Sequence, residues 1–243
     1  MIDTHCHIDQ FPEPEAVARS AEKRGITTIA VTNLPSHYAL GLQPLRGFKH
    51  VHLALGLHPL AARVHARELP EFLRLAPSVR FVGEIGLDFS PAGNETRELQ
   101  LRSFRRIAES LSDRSRFVTL HSRGAEFEVL EILQRHSIRP VVFHWFTGSL
   151  DALLKLLEAG HFVSVNTAML NSKKWRAQFP LIPKERVLTE SDGPHAKCGS
   201  RSAEPADIRN VLRWLSMQWN IPQHEAESLV SNNFRRLFPG LMC

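Results

Sequence analysis

The sequence predicts an α/β fold, a single (β/α)8 TIM-type barrel spanning residues 1–243 with its site at the carboxyl ends of the strands. Short β-rich apolar runs alternate with helix-period segments from end to end, which is the pattern of βα units around a parallel sheet. Eight such runs can be marked along the chain. A length of 243 residues suits one barrel domain.

The first run, Met1–Asp3, is followed by a helical stretch, Glu13–Arg24. The second, Thr27–Thr32, is rich in β-branched residues, and the third, Val51–Leu55, is a short, mostly apolar run. Between them Tyr38–Lys49 fits a loop as well as a helix, and these two units are the least regular. The fourth run is Arg80–Gly83, leading to a helix at Thr96–Leu111. The fifth is Phe117–Leu120, and the helix after it, Ala125–His136, has the clearest period. There Phe127, Leu130, Ile132 and Leu133 share a face, while Glu126, Glu128, Glu131 and Arg135 face water. The sixth run, Pro140–Phe143, precedes a helix at Leu150–Ala159. The seventh and eighth are His161–Val165 and Arg186–Thr189, with terminal helices at Pro205–Trp219 and Gln223–Leu237. Residues Ser191–Ala203, rich in Gly, Ser and Lys, form a long loop on the rim.

With 43% hydrophobic and 23% charged residues, the chain can bury one sizeable core. It has neither a secretory h-region after Met1 nor an apolar run of the ~18 residues a membrane span needs, so a cytoplasmic location is expected. Cys6, Cys198 and Cys243 are odd in number and unrelated in spacing, which leaves reduced thiols as the expectation. A net charge of +5 is too small an excess to identify an anionic partner. The 13 histidines pose a sharper question, namely which of them are ligands.

The strand ends answer it. They gather His5, His7, His58, His121 and His144 with Glu84, Glu190 and Asp192. Any one of these histidines could be an ordinary packing residue, but recurrence at equivalent topological positions argues for a site. Strand side chains alternate, so His5 and His7 share a side and Cys6 takes the other. A mixed imidazole and carboxylate set suits Zn, Mn, Fe or Ni, and Mg if water completes the shell. Glu190 and Asp192 also share a face, so Asp192 can reach a metal while Glu190 holds a neighbour or a substrate group. Ser-Asp-Gly-Pro is good turn chemistry too. Arg123 is as easily a surface residue as a phosphate clamp.

Asp-Thr-His-Cys-His-Ile-Asp from Asp3, Gly-Leu-His-Pro from Gly56, Gly-Glu-Ile-Gly-Leu-Asp from Gly83, Leu-His-Ser-Arg from Leu120, His-Trp-Phe-Thr-Gly from His144 and Glu-Ser-Asp-Gly-Pro from Glu190 follow one another along nearly the whole chain. In order and spacing they resemble the TatD family of metal-dependent deoxyribonucleases. The resemblance implies two divalent ions (Zn, Mg or Mn), one held by His5, His7, Glu84 and Asp192 and the other by Glu84, His121 and His144, with Glu84 bridging. It implies that His58 and Glu190 act on the substrate phosphate and attacking water. It also implies DNA as substrate, often by 3′-to-5′ trimming of single strands.

Some residues depart from the family pattern: Phe89 for a tyrosine, Ser191 for a threonine, Gly124 for an acid, and Gly199–Pro205 for a Gly-Lys-Arg-Asn-Glu-Pro-like stretch. All lie outside the implied ligands, so they bear on substrate preference. With His-Trp-Phe-Thr-Gly from His144 and with Ser164–Met169 they resemble the TatD-type nuclease of the Qat antiphage system, which would supply an ATPase, a small accessory protein and a deazaguanine-synthase-like protein as partners. In the expected mechanism the ions polarise the phosphate and acidify a water, Asp192 accepts a proton, and His58 or Arg123 stabilises the transition state. Two other readings stand beside it. One is a dinuclear amidohydrolase acting on a carbonyl substrate, although the chain has no lysine between Lys49 and Lys155 to serve as a carbamylated bridge. The other is a subunit idle outside a multi-protein complex.

Overall fold

Residues 1–112 and 116–239 are described by the computed structural model; Cys243 lies outside them. Strands β1 (Ile2–Cys6), β2 (Thr27–Ala30), β3 (Val51–Leu53), β4 (Phe81–Gly86), β5 (Phe117–His121), β6 (Val142–Phe143), β7 (Phe162–Val165) and β8 (Val187–Thr189) run parallel in chain order. One ladder joins β1 to β3 and another β4 to β8, and a parallel bridge between Leu55 and Val82 links the two. Hydroxyls help to close β8 on β1: Thr4 Oγ1 donates to the Thr189 carbonyl at 3.0 Å, and Thr189 Oγ1 donates to Ile2. The result is the TIM-type barrel expected. Most strand positions are buried on both faces of the sheet, polar residues such as Asp3, Thr119 and Ser164 among them.

Helices α1 (Pro14–Lys23), α2 (Pro35–Gly41), α3 (His65–Leu75), α4 (Arg97–Leu111), α5 (Glu126–Arg135), α6 (Leu150–Glu158), α7 (Lys173–Gln178), α8 (Ile208–Trp219) and α9 (Gln223–Leu237) accompany the strands. The inward face of α5 is Val129, Ile132 and Leu133; Phe127, expected on it, is 45% exposed, with the Lys155 ammonium 4.9 Å from its ring centroid. In the irregular second and third units, α2 and α3 do form. Pro70 inside α3 is a helix breaker that hid it from a periodicity reading. The expected loop at Ser191–Ala203 contains a small antiparallel hairpin, β9 (Lys197–Cys198) and β10 (Arg201–Ser202), turning at Gly199 with φ +64°.

Helix α9 covers the amino-terminal ends of the strands. Phe234 packs 5.4 Å from Phe117 and Phe238 packs 5.1 Å from Phe81, while Asn233 Nδ2 donates to the Lys184 and Val187 carbonyls at 2.7 and 2.8 Å. The opposite end, where the histidines gather, is left open.

Candidate metal centre

Glu84 is the hub. It sits on β4 at an irregularity in pairing between Val82 and Ile85, and β1 has a similar irregularity between Asp3 and Cys6. Such bulges re-aim side chains at a sheet rim. The Glu84 backbone is held by close packing: its N–H donates to the Thr32 carbonyl at 3.1 Å, passing Gly56. A Cβ on Gly56 would lie 1.6 Å from that carbonyl oxygen and 2.7 Å from the Glu84 nitrogen, so only glycine fits.

Five imidazoles surround the carboxylate. Oε1 lies 2.8 Å from both His121 Nδ1 and His144 Nε2, and Oε2 lies 3.2 Å from His7 Nε2, 3.2 Å from His58 Nε2 and 3.6 Å from His5 Nε2. Asp192 Oδ1 is 3.8 Å from His7 Nε2. The backs of several rings are occupied. His5 Nδ1 is 2.9 Å from Thr119 Oγ1, His58 Nδ1 accepts from Leu60 N at 3.1 Å, and His121 Nε2 donates to Asp88 Oδ2 at 2.7 Å. Their other nitrogens are thereby turned on Glu84.

Among the described residues, three donor sets have ligand atoms within 4.8 Å of one another: His5, His144 and Asp192; His5, His7 and Glu84; and His58, Glu84 and His121. This grouping differs from the partition that the family resemblance implied. His5 is shared, and His58, expected to face substrate alone, lies within ligand reach. Glu190 is fully buried, and its oxygens accept from Trp145 N at 3.0 Å, from Asn166 Nδ2 at 2.9 Å and from Ser164 Oγ. Of the two uses the sequence left open to it, this position suits holding a neighbour. Arg123 is exposed and lines the cavity. Cys6 points away, as the strand alternation requires, into a satellite core with Ile8, Ala18 and Ala30.

Burial and crowding leave their mark on the titrations. Burial and the neighbouring His144 push His5 down to about 3. Against the burial penalty, the charges of His58 and His144 hold Glu84 well below the usual carboxylate range. Burial drives Asp192 well above it. Three buried polar atoms here make no hydrogen bond: His5 Nε2, His144 Nδ1 and Asp192 Oδ1. Unsatisfied atoms at the foot of a polar cleft are costly unless a cation takes their lone pairs. The donor set therefore fits divalent metal.

Sequence reasoning gave no role to Asp88, His195 or Asp3. Asp88 was visible inside the Gly-Glu-Ile-Gly-Leu-Asp motif. His195 lines the cavity with its ring 4.8 Å from that of His7, and burial together with His7 pushes it down to about 4. Asp3 accepts from Ser191 N at 2.8 Å and Ser191 Oγ at 2.6 Å, so serine serves at this departure from the family pattern by supplying the same hydroxyl.

Fold and site together define a barrel-type metal-dependent hydrolase. The chain belongs to the TatD-related DNase family, whose model matches residues 2–239. It is 27% identical to the 3′-5′ ssDNA/RNA exonuclease TatD of Musicola paradisiaca, over 92% of this chain and 91% of that protein. It is 25% identical to the human deoxyribonuclease TATDN3, over 99% and 95% respectively. The crystal structure of YjjV, a TatD homologue from Escherichia coli, superposes with a TM-score of 0.81 at 26% identity, covering 98% of each chain.

Proposed function

We propose that this chain is a cytoplasmic nuclease of one domain that holds two divalent ions and hydrolyses phosphodiester bonds in single-stranded DNA, trimming from an end. The observation that carries this reading is the convergence of five imidazoles on Glu84 beside the unsatisfied Asp192 Oδ1, at the foot of a cavity of about 680 Å³. Ions bound there would polarise the phosphate and acidify a water. His5, His7, Glu84, His121, His144 and Asp192 are the proposed ligands, with His58 in reach as a further donor. Glu190 fixes Trp145 and the ring of His144, 3.8 Å away, and so acts as a positioning residue. Arg123, on the cavity wall, meets a phosphate oxygen. With a cation bound beside it, Asp192 would be ionised despite its burial and would accept the proton released during attack. The name of the Musicola relative supports the single-strand polarity, and RNA is a second substrate to assay.

The departures at Phe89, Gly124 and Gly199–Pro205 support the finer reading of an antiphage nuclease acting with an ATPase, a small accessory protein and a deazaguanine-synthase-like protein. One experiment addresses both levels. Purified protein is analysed for metal, then given end-labelled single- and double-stranded DNA, with and without chelator. Chelator-sensitive trimming of single strands supports the nuclease reading. Metal-loaded protein that cleaves esters or amides but no nucleic acid would replace it with the carbonyl hydrolase. Activity appearing only on addition of the partners supports the complex.

A further inference from the structure

Beyond the catalytic cavity the rim carries a second concave surface that the chemistry so far described does not use. Trp145 and Thr147 line both the cavity and a small pocket of about 80 Å³. Ala168 in turn lines both that pocket and a groove of about 590 Å³ between the end of β7, the β9–β10 hairpin, α7 and α8. The three spaces therefore adjoin one another along the rim. Lys174 stands beside them, its Nζ donating to the Thr147 carbonyl at 2.6 Å. Thr167 Oγ1 donates to the Lys197 carbonyl at 2.8 Å, fixing the hairpin to the strand end that leads from the site.

The charge of this groove is one-sided. Arg176, Lys197 and Arg213 line it, all exposed, and among the described residues no Asp or Glu does. None of the three makes an ion pair among the described residues; Lys197 Nζ donates only to Ser202 Oγ at 3.1 Å. Arg201 next to them is different, being held by Asp207 at 2.6 and 2.7 Å. So is the groove between α4 and α5, where Arg97, Arg106 and Arg135 are matched by Glu128, Glu109 and Glu131. Salt-bridged arginines spend their charge inside the protein, whereas unpaired ones are available to a phosphate chain. Met217, 63% exposed, and Leu170 give the groove an apolar floor on which bases can lie.

We propose that this groove binds the sugar-phosphate backbone of the single strand beyond the scissile bond, with Arg176, Lys197 and Arg213 each contacting a phosphate. The occupant is one strand, the substrate assigned to the site above, because three exposed cations with no described acidic residue among them match its phosphate chain. This rests on the nuclease reading above and extends it to substrate length.

The test is a triple variant, Arg176→Gln, Lys197→Gln and Arg213→Gln, at exposed positions away from the proposed ligands. Binding of a fluorescent phosphorothioate oligonucleotide long enough to cross both sites is followed by anisotropy against salt, and cleavage of a dinucleotide is measured alongside. A single-strand contact gives a slope of about −0.7, or about five-fold in affinity at 0.1 M salt. The variant should therefore bind about a hundred-fold more weakly with a slope shallower by about two. Dinucleotide turnover should match the wild type. An unchanged slope and affinity overturn the groove, as does an equal loss in a control carrying Arg105→Gln, Arg106→Gln and Arg135→Gln. Loss of binding in the triple variant of a protein that cleaves no nucleic acid keeps the groove and removes the nuclease reading.

Discussion

Asp88 Oδ2 lies 2.7 Å from His121 Nε2, which turns the other nitrogen of that ring toward Glu84, 2.8 Å away. Burial alone would raise the Asp88 carboxyl, but the hydrogen bonds from His121 and Ser90 hold it at about 2, so it is ionised at neutral pH. A carboxylate behind a metal-binding imidazole, the role proposed for His121, fixes its orientation and raises its basicity. Losing such a partner costs about 10- to 100-fold in metal affinity. Asp88→Asn should therefore weaken the binding of one equivalent by that factor while leaving the fold intact, as read by metal titration and thermal melting. Unchanged affinity would mean that His121 is oriented by its packing alone.

Gly56→Ala addresses the hub through its backbone. The new Cβ cannot coexist with the Thr32 carbonyl 1.6 Å away, so the Thr32–Glu84 hydrogen bond must part. A cost of at least about 3 kcal/mol is expected, the upper end of the overpacking range. Metal affinity should fall with it, because Glu84 shifts. A denaturant midpoint equal to that of the wild type would show that the barrel mouth relaxes freely.

Much of this was legible in the sequence because barrel chemistry reports at strand ends. The alternation of β-rich runs and helices gave the strand order, and His5, His7, Glu84, His121, His144 and Asp192 do converge. Some features escaped for physical reasons. A periodic reading cannot see α3 past Pro70. Nor can it see that Phe127 tilts out beneath Lys155, because packing rather than spacing decides between neighbouring helix faces. Which imidazole reaches which carboxylate depends on the irregularities in β1 and β4, which no local signal announces. Glu190 was recognised as chemically important, but its burial against Ser164, Asn166 and Trp145 joins residues from three separate strand ends.

Cys6→Ala tests the strand phase. The thiol is fully buried in the small core under α1, on the side away from Glu84. Metal content should be unchanged and stability should fall by about 1 kcal/mol, a typical single-substitution cost. Loss of metal from this variant would mean that β1 presents its other face to the site.

His161 supplies a pH dependence remote from the site. It is 3% exposed, and its Nδ1 accepts from Val141 N at 3.3 Å, a bond that suits the neutral ring. Burial, with Arg186 and Arg139 nearby, pushes it from the ordinary 6.5 down to about 4. Between those two values the unfolded chain binds a proton that the folded chain refuses. Stability from this group is thus complete above pH 6.5 and is lost as pH falls toward 4. The loss should amount to about 3 kcal/mol. His161→Asn keeps an acceptor for Val141 but cannot titrate. The difference between wild-type and variant unfolding free energies should shrink across this window, and a difference independent of pH would refute the assignment.

Glu84 and Asp192 are two carboxylates to which the site gives different work. Glu84 offers both oxygens to five imidazoles and enters two of the three donor sets, whereas Asp192 enters one, with His5 and His144. Glu84→Gln replaces the central negative charge with a neutral amide, so that two cations held there as proposed would have nothing to offset their repulsion. Both equivalents of metal should be lost together. Asp192→Asn removes one proposed ligand, which is also the proposed proton acceptor, but leaves Glu84, His58 and His121 in place. It should retain one equivalent and most of the affinity for a single strand, while turnover falls by about 100- to 10,000-fold, the range of general-base losses. Metal stoichiometry paired with single-turnover cleavage separates the two variants. Loss of one equivalent from Glu84→Gln would remove its bridging role, and undiminished cleavage by Asp192→Asn would leave proton acceptance to another group.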